Sequence, residues 1–188
     1  MEQRDDSYYI GKVLSGDTSA FAMLVERHKT MAFNISLRIV GNREDAEEVA
    51  QDSFVKAYRS LRSFRGSSKF STWLFRIVYN TSVSLYRNRK REITRDLSDD
   101  LAKKCDTFTG EETGEEEGIL TAALQQALGC LPKEEQTMLT LYYYQDCSID
   151  EIAQIMNMSA SNIKVRLFRA RKKLHEKISR FVEGETIA

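Results

Sequence analysis

The stretch from Ser148 to Leu174 constrains the fold more tightly than any other part of the chain. Ser148 and Glu151 stand at the spacing of a capping box, and Ile149, Ile152, Ala153 and Met156 then recur at the interval of one buried helix face. Asn157, Met158 and Ser159 make the turn, with Ser159 placed to cap a second helix. At about 100° per residue, Ile163, Leu167, Ala170, Leu174, Ile178 and Phe181 fall into a narrow wedge that must face a core. Two short helices with a tight turn, the second strongly basic, form a helix-turn-helix of the kind that reads DNA.

Val165, Phe168, Arg169 and Lys172 point away from that wedge. A large apolar ring among cations on the outer face has no packing rationale within the helix pair. Contact with a thymine methyl, beside an arginine reaching a guanine edge, would explain it. Lys164, Arg166, Arg171 and Lys173 lie on the flanks, where long cations are expected to reach phosphates and set position without reading sequence. Ser148, at the start of the first helix, is counted with this upstream DNA-contacting set.

The formal net charge of zero conceals a division along the 188 residues. Residues 1–91 hold 16 Lys/Arg against 10 Asp/Glu, residues 92–118 hold 3 against 10, and the cations of the remainder concentrate in 160–180. The basic and acidic regions therefore act separately. The N-terminus lacks an apolar run and no segment approaches bilayer-spanning length, so a cytoplasmic protein without membrane insertion is expected. Cys105, Cys130 and Cys147 are odd in number and widely spaced, with only His28 and His175 as histidines. They are expected to be reduced thiols, and neither a metal site nor a cofactor is anticipated.

Nearly every periodic segment has the helical period, so the chain is expected to be all-α. One helix runs from about Ser19 to Val40 and is ended by Gly41; Asn42 with Asp45 starts another. Along that helix Ala46, Val49, Ala50, Phe54, Ala57, Tyr58 and Leu61 form an apolar stripe, and Glu44, Glu47, Glu48, Gln51 and Asp52 a mostly acidic surface. The loop that follows is rich in glycine and serine yet carries Phe64, Arg65, Lys69 and Phe70. Ser71 is expected to cap the next helix, with Trp73, Leu74, Ile77, Val78, Thr81 and Leu85 buried and the cation run 87–91 at its end. Aromatics interleaved with arginine and lysine suit single-stranded nucleic acid, because an unstacked base offers a π-face and its backbone attracts cations.

Residues 92–118 lose periodicity and become acidic, which predicts a flexible linker. Helical spacing resumes at Ile119, and Pro132 sits at the start of a helix. The expected organisation is two small helical domains, 1–91 and 119–188, joined by the 92–118 linker, with the helix-turn-helix in the second.

These residues carry a family resemblance. Gly16-Asp17 with Ala20-Phe21, the run from Asp45 to Phe54, Lys56-Ala57-Tyr58, Phe64-Arg65-Gly66, and Phe70 to Ile77 with Asn80 resemble region two of extracytoplasmic-function (ECF) sigma factors. Leu131-Pro132, Ser148 with Glu151-Ile152-Ala153, and Lys164 to Arg171 resemble region four, with Gln136 where the family often has arginine. The resemblance implies a promoter-specificity subunit of bacterial RNA polymerase. Its region two would recognise and melt the element near minus ten, through Phe64, Arg65, Lys69, Phe70, Trp73, Arg76 and Asn80. Its region four would read the element near minus thirty-five. Asp45, Glu48, Gln51 and Asp52 would dock on core polymerase, and an anti-sigma factor would be a further partner. The alternative is a stand-alone helix-turn-helix regulator, which would need a dimer to span two half-sites. An enzyme is not expected, because no nucleophile motif, metal-ligand spacing or phosphate loop is present.

Overall fold

The structure is a computed structural model, and it describes residues 4–96 and 124–182. Among these every regular element is helical. The elements are α1 (Asp6–Leu14), α2 (Phe21–Val40), α3 (Arg43–Ser60), α4 (Phe70–Asp96), α5 (124–129), α6 (Lys133–Tyr144), α7 (Ile149–Met156) and α8 (Ala160–Val182). The expected acidic linker lies almost wholly outside the described residues. The helix that was to end in the cation run continues to Asp96.

Local signals set most boundaries. Gly41 ends α2 with φ 88°, a left-handed conformation that costs a residue with a Cβ about 1–2 kcal/mol. Asn42 then accepts a hydrogen bond from the Asp45 amide and starts α3. Ser71 does not cap α4: the helix begins one residue earlier, and the Trp73 amide donates to the Lys69 carbonyl at 3.2 Å. Pro132 sits at the N-cap of α6, where its carbonyl accepts from the amides of Glu135 and Gln136. Gln136 is buried, and its amide group donates to the carbonyls of Leu131 and Gly129, satisfying the end of the preceding segment.

Helices α2, α3 and α4 pack on one another around Leu24, Ile35, Ala46, Ala57, Leu74 and Val78. In the second half, α6, α7 and α8 enclose Met138, Leu141, Ile152, Ile155, Ile163 and Leu167. The apolar stripe of α3 is buried as its spacing required, except Tyr58, which lies at the surface with its ring edge-on to Phe21 at 5.1 Å. Along α8 the wedge is fully buried at Ile163, Leu167 and Ala170 but only partly at Leu174 and Ile178. The side chain of Phe181 lies outside the described residues.

The two halves touch. Helix α7 packs against α4 and α6 against α2, so that one continuous apolar core runs through both. Cys147 beside this junction is a buried free thiol. Burial pushes the Cys147 thiol up to about 11, and the Glu151 carboxylate adds to the shift. Only the thiolate attacks an alkylating reagent, so Cys147 is expected to react about a hundredfold more slowly with iodoacetamide than an unperturbed cysteine at the same pH. Mass-spectrometric timing of the native protein against its urea-unfolded form checks this; equal rates would refute it.

Candidate nucleic-acid interface

The helix-turn-helix is built as its caps require. The Ser148 side chain accepts from the Glu151 amide, and the Glu151 carboxylate accepts from the Ser148 amide at 2.8 Å. Asn157 turns the chain with φ 55°, and the Ser159 hydroxyl accepts from the Asn162 amide to start α8. With its inner face locked by Ile163, Leu167 and Ala170, α8 presents Val165, Phe168 and Arg169 outward. Phe168 is 69% exposed, although a phenyl ring of that size normally seeks cover.

The cations of α8 divide by their tethers. Arg166 pairs with Glu134 and Lys173 with Glu135, while the Arg171 guanidinium lies over the rings of Tyr142 and Tyr143 at 4.8 and 5.3 Å. All four partners stand on α6, so these side chains brace α8 as well as carry charge. Lys172 has only a 3.9 Å contact with Glu176 one turn away. Lys164 and Arg169 make no ion pair among the described residues, which leaves them free for a polyanion.

In the first half, the loop between α3 and α4 folds its aromatics into a cluster. Phe64 stands edge-on to Phe70 at 5.8 Å and tilted to Trp73 at 5.4 Å, and Phe70 lies 5.7 Å from Trp73. Phe70, only 4% exposed, is the floor of this platform and presents no face to a base; Phe64 and Trp73 are half-buried above it. Arg76 and Asn80 are exposed further along the α4 face that carries Trp73, and Arg65 is exposed in the loop.

Lys69 is placed differently from its neighbours. Its ammonium meets the Glu151 carboxylate at 2.9 Å, across the junction between the halves, and Thr72 donates to the same carboxylate at 3.4 Å. Burial pushes the Glu151 carboxyl up, but hydrogen bonds from Ser148 and Lys69 more than offset it and hold the group below its ordinary value. Glu151 thus closes the α7 cap and ties the helix-turn-helix to the start of α4.

On α3, Glu44, Glu47, Glu48, Gln51 and Asp52 are exposed along one side. Asp45 is not part of that surface. Its side chain is 6% exposed and pairs with Arg89 of α4, while the Asn42 amide group donates to it at 2.6 Å. The cause is position: as the third residue of the helix, Asp45 is turned by the Asn42 cap toward α4, where a buried carboxylate needs a cation.

An aromatic platform flanked by cations stands beside a capped helix-turn-helix with an unburied Phe–Arg face, the layout of a DNA-binding transcription protein. Residues 24–92 match the model of sigma-70 region 2, and residues 121–174 that of sigma-70 region 4. The chain is 35% identical over 185 residues to the ECF RNA polymerase sigma-E factor of Haemophilus influenzae, covering 94% of this chain and 97% of that one. It is 33% identical to the RNA polymerase sigma-H factor of Pseudomonas aeruginosa, over 92% of this chain and 93% of that one. Among solved structures, the sigma factor RpoE of Bartonella quintana, in complex with the anti-sigma factor NepR, superposes with a TM-score of 0.68. That match has 22% identity and covers 85% of this chain and 96% of the other, a likeness of fold. The chain belongs to the ECF sigma factor family: it serves RNA polymerase in transcription initiation at promoters.

Proposed function

We propose that the two halves divide the promoter between them. Phe64 and Trp73 stack on bases of the melted non-template strand near minus ten, with Arg65, Arg76 and Asn80 on its backbone and base edges. Lys69 joins them once it leaves Glu151, and Phe70 supports the platform from below. Val165, Phe168, Arg169 and Lys172 read the upstream duplex, while Lys164, Arg166, Arg171, Lys173 and the Ser148 end of α7 hold its phosphates. The half-exposed aromatic platform carries this reading, because a soluble domain gains nothing from leaving a tryptophan and a phenylalanine partly open beside arginines unless a flat partner covers them.

Glu48, Gln51 and Asp52 form the docking face for core polymerase, and Asp45 shapes that helix from within. The protein acts in the cytoplasm as a non-enzymatic subunit, and an anti-sigma factor is its natural antagonist, as NepR is bound to the Bartonella protein. Run-off transcription by purified core polymerase, with and without the chain, tests the whole reading: transcripts from a cognate promoter should depend on its addition. Gln51→Ala with Asp52→Ala should reduce co-purification with core polymerase, leaving binding of the upstream duplex by the free chain unchanged. Retention of full core binding would remove the docking role from this face.

A further inference from the structure

We propose that His28, held by Asp6, is a positioning residue for strand capture. The inference rests on the reading of the Phe64–Trp73 platform as the base-stacking surface. His28 lies on α2 with its side chain 14% exposed, and its Nε2 meets an Asp6 carboxylate oxygen at 2.9 Å. A carboxylate only accepts, so Nε2 carries the proton of this bond and the ring plane is set by it. The other Asp6 oxygen accepts from Arg27 at 3.0 Å, which fixes the carboxylate in turn. The centre of the imidazole lies 5.5 Å from that of the Phe70 ring and 6.1 Å from that of Phe75.

The contacts form a relay. Asp6 of α1 orients His28, His28 backs Phe70, and Phe70 is the floor on which Phe64 and Trp73 rest. Packing alone would be served as well by a leucine, which has no polar edge to desolvate. No group of side chains able to hold a metal ion occurs among the described residues, so His28 is not explained as a ligand. A hydrogen-bonded ring does what a leucine cannot: it holds one orientation against the back of a platform whose tilt decides whether a base stacks.

The test uses the full chain with core polymerase. His28→Ala and Asp6→Leu should lower permanganate reactivity of promoter thymines about three- to tenfold, part of the loss that removing one stacked base would bring. Co-purification with core polymerase should be unchanged. Asp6→Asn keeps an acceptor for Nε2 and should restore opening to within about twofold, which a merely electrostatic role would not predict. Trp73, the one tryptophan of the chain, reports the platform directly, and its emission in the free protein should shift in His28→Ala and Asp6→Leu but not in Asp6→Asn. Wild-type opening in both His28→Ala and Asp6→Leu would overturn the proposal, as would Asp6→Asn failing as badly as Asp6→Leu. If Phe64→Ala impairs opening and these variants do not, the relay alone is wrong. If Phe64→Ala also opens normally, the platform reading falls and the relay with it.

Discussion

Replacing Phe64 by alanine is expected to lower promoter opening about tenfold or more without loosening attachment to core polymerase. The ring is half-buried and packs against Phe70 and Trp73. Base–aromatic stacking contributes about 1–3 kcal/mol per base, and a change of 1.4 kcal/mol is tenfold in an equilibrium. Removing Phe64 also takes a wall from Trp73, so the loss should sit toward the upper end. Asn80→Ala, exposed on the same side of α4, should act in the same direction but less. Permanganate reactivity of thymines near the start site reports opening, and co-purification reports attachment. Parallel loss of both would make Phe64 a structural residue of the first half and end its assignment to strand capture.

The second large effect is expected on α8. Arg169→Ala should cost about 1–3 kcal/mol at one base pair of the upstream element, the value of a bidentate arginine–guanine contact, and relax discrimination there. The structure favours Arg169 over its neighbours because it is exposed and lacks an ion pair among the described residues, whereas Arg166, Arg171 and Lys173 are engaged by α6. Lys164→Ala should weaken all sequences alike and reduce the salt dependence of binding. Lys173→Ala should do less, since part of its charge is already met by Glu135 at 2.8 Å. Binding of the chain to a panel of single-base variants of the upstream element separates these outcomes. Losses from Arg169→Ala that are blind to sequence would reduce α8 to a basic patch.

The sequence was most legible where the determinants are local. The Ser148–Glu151 box, the Asn42 cap and the Gly41 stop all lie within a few residues of the groups they satisfy, and each is found as its spacing required. The α8 wedge was equally readable, because helical period alone puts Ile163, Leu167 and Ala170 on one side. Gln136 was not, although the proline before it marked the helix start: its side chain bonds the carbonyls of Leu131 and Gly129, a choice no periodicity encodes.

By itself, then, the sequence determined the all-helical class and the family, since these rest on period, caps and short motifs. Tertiary structure decided which of the candidate DNA-contacting and docking side chains are free. Phe70 had the same composition signal as Phe64 but was drawn beneath the platform by His28 and Trp73. Asp45 left the acidic face for Arg89, 44 residues away, and Lys69 was taken up by Glu151. The packing of α7 on α4 belongs to the same class: Thr72 and Glu151 are 79 residues apart and meet only because two apolar faces found each other. Helical period tells which side of a helix is apolar. Which helix covers it, and which charge is then left without water and must find a partner, is settled only when the faces close.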